Sequence, residues 1–555
     1  MLLVLRALAA VAGNQVDVTC LDVGNGIPAE LSTFASVRRV PLPPTQHVYD
    51  SSARAAISFR VLEWLREQRA FEYLIFDAAE GASYYALLAR ELELSLALRA
   101  VRVVLVELGA HAPSSARRRR PSNDASVDAL ELAHMQRSAV ARADAVVVTA
   151  PSLRRMHAQR WRLPPIRATL PAAALAVGDA DGRASGRTRE RGAPSEIHAE
   201  DEAPLGDSDD SDDSDDSDDS DDSASLERTL RVLWRRVRAL SAAGASAEAG
   251  PTELPAEVRR ARGSASRPDG GAIHPDGGAI PLVSVCIVSH ERGPLLLQAL
   301  QSVRAQRGVA AQRVQVVLVD DGSVTAAAHA ALQAAATWAE FQTGRWLLLH
   351  RSARYLGAAR NAAARHAQGR FLFFLDDDNC LKPHALATLV RAADASHAHV
   401  LTMVNEKWPH ESAPPASGDD PRTERWLPLG DAATVGLFRN CFGDASALVR
   451  RATFESLGGF TEDENVGHED WELWARAVLS GYQLRLVPEA LYWYRIGGGG
   501  MLSESLGGDL QARAQRYANY ARNLRPYVER LRGWPEAQDL VRLAQGVYVN
   551  GGANA

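Results

Sequence analysis

Residues 281–292 read PLVSVCIVSHER, and the mainly apolar run at 282–289 inside them decides the fold. A short apolar run bounded by polar residues predicts a buried strand. The same pattern returns at 314–319 and 371–375, and helical patterns occupy 294–305 and 358–370. Strands that alternate with helices in this way predict an α/β fold with a parallel sheet covered by helices.

Acidic residues follow the second and third of these strands, and a further acidic pair lies near residue 470. Loops at the carboxyl ends of strands are where open α/β sheets bind ligands. Three acidic clusters can hold a nucleotide base, a divalent metal and a general base in one crevice. An enzyme that uses an activated nucleotide is therefore the first hypothesis. The clusters are Asp320 with Asp321, Asp376 with Asp377 and Asp378, and Glu469 with Asp470.

The two strand-end clusters differ in the chemistry that they favour. A carboxylate such as Asp321 can accept a hydrogen bond from a uracil-type imide or a ribose hydroxyl, and the following Gly322 allows close backbone approach. Three adjacent carboxylates repel one another unless a cation or water relieves them, and Mg²⁺ or Mn²⁺ prefers such hard oxygen ligands. The structural alternatives are a turn that starts a helix for the first cluster and a solvent-facing acidic turn for the second.

Taken together, these motifs resemble a family 2 glycosyltransferase of the GT-A fold over about 220 residues. The matching stretches occur in the family's order and with similar spacing. They are PLVSVCIVS at 281–289, VDDGS at 319–323, LGAARN at 356–361, LDDDN at 375–379, GGF at 458–460 and GHEDW at 467–471.

The resemblance implies a role for each matching residue. Asp470 corresponds to the catalytic base of inverting members, which takes a proton from the acceptor hydroxyl as its oxygen attacks the anomeric carbon. Glu469 beside it could raise the pKa of Asp470 by like-charge repulsion. Asp376 and Asp378 form the Asp-x-Asp motif for Mn²⁺ or Mg²⁺. The donor nucleotide would contact Ser289, Glu291, Asp320, Asp321, Arg360 and Asp377, and the acceptor would contact Glu469 and Trp471.

Several positions depart from the family pattern or have two interpretations. His290 stands where relatives often carry a tyrosine, so it could replace that ring against the base. The glycine-rich segment 493–501 is either a mobile lid or a flexible exit from the domain. Trp474 is predicted to be a core residue, and Trp471 an acceptor contact with a core position as the alternative. The insertion 405–439 would lie on the acceptor side and set specificity.

Composition divides the chain into four predicted regions. Residues 1–166 form a Rossmann-like α/β half-domain, with strands expected at 16–21, 73–76, 101–106 and 145–149 in one parallel sheet. Residues 167–280 contain few large apolar side chains and are predicted to be a disordered linker, apart from a short amphipathic helix at 226–241 that could self-associate. The transferase occupies 281–500, and 501–555 is a helical extension.

The half-domain resembles the first half of a family 4, GT-B glycosyltransferase. The stretches that carry this resemblance are FDAAEGASYYALLA at 76–89, AHAP at 110–113 and ADAVVVTAPS at 143–152. The glycine-rich opening loop and the nucleotide-binding second half of that family are absent from the pattern. The half-domain is therefore read as an acceptor-binding or interaction module, or a relic, with Asp77 and His111 as candidate sugar contacts.

Charge and cysteine content exclude some function classes. The formal charge is −6, but residues 207–223 contain 11 aspartates, and the remainder carries +5. This mild charge predicts no nucleic-acid surface. The four cysteines show no zinc-type spacing and no apolar run reaches membrane-span length, which favours a cytoplasmic protein, either free or peripheral to a membrane.

The predicted function is a metal-dependent, inverting transfer of sugar from a nucleotide-diphosphate donor, with a UDP-sugar favoured, to a glycan or lipid-linked acceptor. The alternatives are a noncatalytic carbohydrate-binding or scaffold protein and a nucleotidyltransferase that would not need Asp470.

Overall fold

A computed structural model describes residues 18–22, 37–41, 51–68, 71, 73–77, 81–107, 127–148, 281–409, 423–436, 439–462 and 469–497. The chain divides into two compact units, Met1–Val40 with Leu170–Pro251, and Pro41–Thr169 with Thr252–Ala555. The predicted helix at 226–241, the rest of the linker and the extension at 501–555 lie outside the described residues.

The region predicted to be a transferase, described from residue 281 to 497 with gaps and called the transferase region below, is built on one nine-stranded sheet. Its order is β10-β14-β11-β13-β9-β6-β7-β8, and β12 pairs with β11. The strands β8, β7, β6 and β9 run parallel, whereas β13 pairs antiparallel to β9 and to β11. The strands are β6 (Val283–Ser289), β7 (Val314–Asp321), β8 (Leu347–Arg351), β9 (Phe371–Asp376), β10 (Cys380–Leu381), β11 (Val400–Pro409), β12 (Glu424–Trp426), β13 (Leu448–Arg450) and β14 (Leu484–Ile496).

Helices cover this sheet, and local sequence explains where several begin and end. The fixed φ of Pro294 suits the first turn of its helix, and the Thr325 side chain accepts a hydrogen bond from the Ala328 N–H at the start of the next. Gly458, at φ 80°, ends the helix before it. The helices are α5 (Pro294–Arg304), α6 (Ala326–Ala336), α7 (Ala339–Gln342), α8 (Leu356–Arg365), α9 (Ala385–Ser396), α10 (Ala433–Gly436), α11 (Arg451–Leu457) and α12 (Glu469–Leu479).

The core of the transferase region lies between the parallel strands and these helices. Every residue of β7 is buried, and β6 and β9 are buried at all but one position each. Burial on both faces explains why these strands read as apolar runs rather than as alternating patterns. The strands predicted at 282–289, 314–319 and 371–375 and the mixed α/β class are confirmed.

The amino-terminal half-domain, residues 51–148, contains a three-stranded parallel sheet in the order β3-β4-β5. Three of its four predicted strands are confirmed there. The prediction that the strand at 16–21 belongs to this sheet is wrong, because β1 (Val18–Asp22) pairs with β2 (Val37–Pro41) instead. The remaining elements are β3 (Tyr73–Asp77), β4 (Arg102–Glu107), β5 (Ala145–Val148), α1 (Ala53–Glu67), α2 (Tyr84–Glu91), α3 (Leu96–Arg99) and α4 (Val127–Arg142).

The described part of the chain contains no helix with both the length and the hydrophobicity needed to cross a lipid bilayer.

A pair of glycines offers a test of the turn that follows β7. Gly322 and Gly344 both have φ 74°, but a Cβ at Gly322 would lie 2.6 Å from the Ala353 nitrogen, whereas nothing lies within 4 Å of one at Gly344. We expect Gly344→Ala to cost about 1 kcal/mol for the left-handed backbone, and Gly322→Ala to cost about 1–3 kcal/mol more because Ala353 must move. Urea unfolding of both variants measures the difference, and equal midpoints would contradict it.

Candidate active site

The carboxyl ends of three parallel strands meet at one edge of the sheet. Strand β6 lies between β7 and β9, with Ser289 opposite Asp320 and Val288 opposite Asp376. The crossover from β6 leads to β7 on one side, and β9 joins later on the other, so the chain changes direction at β6. Open α/β sheets bind ligands at such a point. The structure thus brings the first two acidic clusters together, as the sequence predicts.

Asp320 and Asp321, at the end of β7, are both buried and held by different partners. Asp320 accepts from the Ser323 N–H at 3.1 Å, and its other oxygen lies 3.0 Å from His350 Nδ1. Burial opposes ionisation of Asp320, but these hydrogen bonds outweigh it and lower its pKa. Asp321 accepts from the Arg354 N–H, yet burial raises its pKa. The two adjacent carboxyls are therefore electrostatically different.

His290 and Glu291 follow β6 and approach the loop after β7. His290 Nδ1 lies 2.8 Å from the carbonyl oxygen of Asp321, so its ring is tied to the predicted base site. Glu291, at φ 58°, accepts hydrogen bonds from the Val324 and Thr325 N–H groups. Its pKa is lowered, first by a hydrogen bond from the Thr325 side chain and then by these backbone bonds. That carboxylate stabilises the start of α6. Its predicted contact with the donor stays a prediction.

Three carboxyl groups follow one another at the end of β9, and two of them pair with Arg292, whose role the sequence does not predict. Arg292 lies 3.3 Å from Asp377 Oδ1 and 3.0 Å from Asp378 Oδ2. Burial, and then repulsion from Asp378, raise the pKa of Asp377 to about 8. Burial and repulsion from Asp376 also raise the pKa of Asp378. Arg292 opposes both shifts, so one cation only partly neutralises the loop.

Arg360, on α8, joins this loop to the third acidic cluster. Its guanidinium donates to Asp376 Oδ1 at 2.6 Å and to Glu469 Oε1 at 2.5 Å, and the residue is 4% exposed. Burial alone would lower its pKa, but the two carboxylates raise it further above its usual range. The resemblance predicts that Arg360 contacts the donor nucleotide. In the structure its described partners are both carboxylates of the protein.

Asp470 is the second residue of α12, directly after Glu469, and it is partly exposed. Its carboxylate accepts a hydrogen bond from the Trp471 N–H at 2.7 Å. Burial, followed by repulsion from Glu469 and from Asp444, raises its pKa well above the usual range. Asp444 is a second residue that the sequence analysis missed, and burial and Asp376 raise its own pKa to about 6. The contribution predicted for Glu469 is therefore seen, behind that of burial.

The two tryptophans of α12 both lie in the interior. Trp474 is fully buried and donates through its indole N–H to the Asp444 carbonyl, as predicted for a core residue. Trp471 is 2% exposed, and its indole N–H donates to the Gly436 carbonyl at 2.7 Å. Its predicted stacking on an acceptor sugar is corrected, because the ring is covered and its only polar atom is already hydrogen-bonded.

The end of β14 is tied to the acidic loop. The Arg495 N–H donates to Asn379 Oδ1 at 2.9 Å, and its guanidinium donates to the Asp378 carbonyl at 2.8 Å and to Gln298. Arg495 also lies over the Trp408 ring. The glycines of the predicted lid at 498–500 lie outside the described residues, as does His111. Asp77 ends β3 in the half-domain, and its predicted sugar contact stays a prediction.

The donor set is chemically suited to a divalent cation. Asp376 and Asp378 supply hard oxygen atoms, and their like charges are only partly compensated by Arg360 and Arg292. Within the described ranges, no three His, Cys, Asp or Glu side chains are arranged to hold a metal by themselves. Mg²⁺ and Mn²⁺ commonly take few protein carboxylates and draw further oxygens from substrate and water, so this arrangement fits them.

Comparison with known proteins agrees with the geometry. Residues 284–453 match the family described as glycosyl transferase family 2, a match that supports a glycosyltransferase of this family. The succinoglycan biosynthesis protein ExoO of Rhizobium meliloti is 28% identical over 280 residues, which cover 48% of this chain and 77% of that protein. The putative glycosyltransferase EpsH of Bacillus subtilis is 26% identical over 113 residues, covering 20% of this chain and 30% of that protein.

Solved structures show a weaker likeness. S. aureus TarS 1-349 in complex with UDP-GlcNAc is 19% identical with a TM-score of 0.32, covering 48% of this chain and 81% of that one. The mannosyltransferase PcManGT from Pyrobaculum calidifontis, in complex with GDP-Man and Mn²⁺, is 20% identical with a TM-score of 0.34, covering 54% and 83%. TM-scores this low do not support a functional assignment.

The carboxyl groups around Asp470 predict a shift in pH dependence. Replacing Asp444 by Asn removes a like charge that raises the pKa of Asp470, so this pKa falls. A base must be ionised to act, and we expect the acid limb of the pH–activity profile to move to lower pH by about half a unit or more. Asp394→Asn, at a surface ion pair with Arg370, is the control that leaves the limb in place. A shift to higher pH in Asp444→Asn would contradict the assignment.

Proposed function

We propose that the chain is a metal-dependent, inverting glycosyltransferase that moves a sugar from a nucleotide-diphosphate donor to a hydroxyl of a glycan or lipid-linked acceptor. The observation that carries the proposal is the pair of contacts from Arg360 to Asp376 and to Glu469. They hold the candidate metal and base clusters within the length of one side chain. The family match over 284–453 supports the same reaction class.

The donor nucleotide would lie at the carboxyl ends of β6 and β7. Asp321 is the proposed partner of the base, because it is buried at the carboxyl end of β7. Asp320 lies one residue earlier and has a lowered pKa, so it stays ionised to accept hydrogen bonds from ribose. His290 is tied to the Asp321 carbonyl, where its ring can stack on the base. Ser289, buried beside the loop, would border the ribose.

The diphosphate would lie over the loop after β9. Asp376 and Asp378 are the proposed metal ligands there, and Asp377 lies between them near the ribose or sugar. A bound Mn²⁺ or Mg²⁺ would supply positive charge to the diphosphate as it departs. Arg292 and Arg495 place two further cations at the same loop, and both would favour an anionic leaving group.

Asp470 is the proposed general base. Burial and neighbouring carboxyls raise its pKa, which makes the ionised carboxylate a stronger proton acceptor than an ordinary aspartate. It would take the proton of the acceptor hydroxyl while that oxygen attacks the anomeric carbon from the face opposite the diphosphate. The product sugar then has inverted configuration, and the nucleoside diphosphate leaves. Glu469 is committed to Arg360, so it would act on the acceptor side through position rather than through proton transfer.

A panel of donors tests the reaction class. The purified full chain is incubated with Mn²⁺ and a set of UDP- and GDP-sugars, and release of the free nucleoside diphosphate is measured with and without EDTA. We expect release from one donor, with a UDP-sugar favoured. Chelation should abolish this release, because Asp376 and Asp378 are themselves negative and cannot neutralise the departing diphosphate without the metal. No release from any donor, together with no nucleotide binding by calorimetry, would instead support a noncatalytic scaffold.

Substitution of the base separates transfer from binding. We expect Asp470→Asn to lower the rate of sugar transfer by about 10²–10⁴-fold, the usual range for a lost general base, while nucleotide affinity changes less than about twofold. Asp394→Asn is again the matched control. A variant that retains transfer would remove Asp470 from the mechanism, and one that also loses nucleotide binding would indicate a collapsed site. A nucleotidyltransferase would be indifferent to this change.

A further inference from the structure

Helix α10 contacts both the amino-terminal half-domain and the helix that carries Asp470. It packs against α4 of the half-domain and against α12. All four of its residues are buried, and Val435 is completely so. A Cβ added at Gly436 would lie 2.0 Å from the Phe442 ring, so the helix has no free space on that side. A movement of α10 must therefore be shared by its neighbours.

Two buried tyrosines of the half-domain hold the segment that leads into α10. Tyr85 is fully buried and donates to the Pro428 carbonyl at 2.9 Å. Tyr84, 1% exposed, donates to the Leu429 carbonyl. The Ser51 hydroxyl accepts from the Leu427 N–H at 3.0 Å. Each of the three consecutive residues 427–429 thus has a backbone group hydrogen-bonded to a side chain of the half-domain.

Ion pairs continue the same contact beyond this segment. Glu131 of α4, 1% exposed, pairs with Arg439 just after α10. Leaving a buried carboxylate without its cation strongly destabilises the folded protein, so this pair favours the contact between α4 and the segment after α10. Further pairs join the half-domain to β12 and β14, and they are Glu63 with Arg425, Glu91 with Arg485, and Arg66 with Glu489.

A hydrogen bond connects α10 to the candidate site. The Trp471 indole N–H donates to the Gly436 carbonyl at 2.7 Å, and Trp471 immediately follows the proposed base. Its backbone N–H also donates to the Asp470 carboxylate. The half-domain is thus connected to Asp470 through contiguous buried contacts: Tyr84 and Tyr85, residues 427–429, α10 and Trp471.

We propose that the amino-terminal half-domain is an intramolecular support that positions α12, and with it Asp470, for transfer to the acceptor. This inference rests on the proposed function for its catalytic consequence. The side chains that make these contacts are engaged with the transferase region. They are therefore not available to bind a sugar on that face of the half-domain. Tyr84 and Tyr85 are positioning residues in this assignment, since they act on the base through α10.

The test is a conservative double substitution, Tyr84→Phe with Tyr85→Phe, in the full chain. Both rings remain, and the hydrogen bonds to the carbonyls of residues 427–429 are lost, together with the one between Tyr84 and His134. We expect kcat for sugar transfer to fall at least about tenfold, because small misplacements of a catalytic group have large effects, with donor Kd within about twofold of the parent. Tyr482→Phe is the matched control, since the hydrogen bond described for that hydroxyl is to Ser456, at an exposed position outside the half-domain.

A second measurement does not depend on activity. Hydrogen exchange of the α12 amides, residues 469–479, is expected to be at least about threefold faster in the double variant than in Tyr482→Phe. Unchanged exchange in α12 would overturn the proposal, whether or not the parent transfers sugar. Unchanged kcat in an active parent, with only a lower Tm, would also overturn it and leave the half-domain a purely stabilising role. A parent that binds no nucleotide would instead refute the proposed function.

A double-mutant cycle identifies the route. Trp471→Phe removes the indole N–H that bonds to Gly436. If the tyrosines act through α10, the combined variant should lose little more kcat than the stronger single variant, because both changes break the same connection. Fully multiplicative losses would show that the tyrosines act by another path and would overturn the assigned one.

Discussion

A single buried guanidinium holds the site together. Arg360 is almost completely covered, and burying its charge is tolerable only because Asp376 and Glu469 both accept hydrogen bonds from it. Those two carboxylates belong to β9 and α12, which are far apart in sequence. The next residue, Asn361, strengthens the link, since it exchanges hydrogen bonds with the Phe460 backbone just before α12. The geometry between candidate metal and base therefore depends on α8.

Around this guanidinium the site contains more negative charge than its cations neutralise. Asp377, Asp378, Asp444 and Asp470 all have raised pKa values, for which burial is the first cause and neighbouring carboxyls contribute in each case. Such crowding destabilises the folded protein as the pH rises through these pKa values, because the folded state gives up its protons later than the unfolded state. A fold that retains this cost at one point is typical of a functional site rather than of a surface optimised for stability.

The parts of the fold that could be read from the sequence are those with a local signal. Strands β6, β7 and β9 are buried on both faces and so appear in the sequence as apolar runs. Asp320 and Asp376 can then be located from the sequence, because they lie at the carboxyl ends of two of these runs. Arg292 and Asp444 carry no such signal, since their partners are distant in sequence. Glu291 was assigned to the donor by motif alone, and its bonds to the start of α6 needed tertiary structure to be seen. The same holds for Trp471, whose helical spacing fits either a core or a surface position.

The contact between the half-domain and the transferase has the character of a domain interior, which argues against treating the two as separable. Glu406 of β11 is completely buried and is neutralised by Lys382 and Arg425. Arg425 in turn pairs with Glu63 of α1, so removing the half-domain would leave an unbalanced cation beside a buried carboxylate. It would also leave the carbonyls of residues 428 and 429 without their tyrosine donors. Each of these changes is costly, so the contacts with the half-domain stabilise the folded form of residues 423–439.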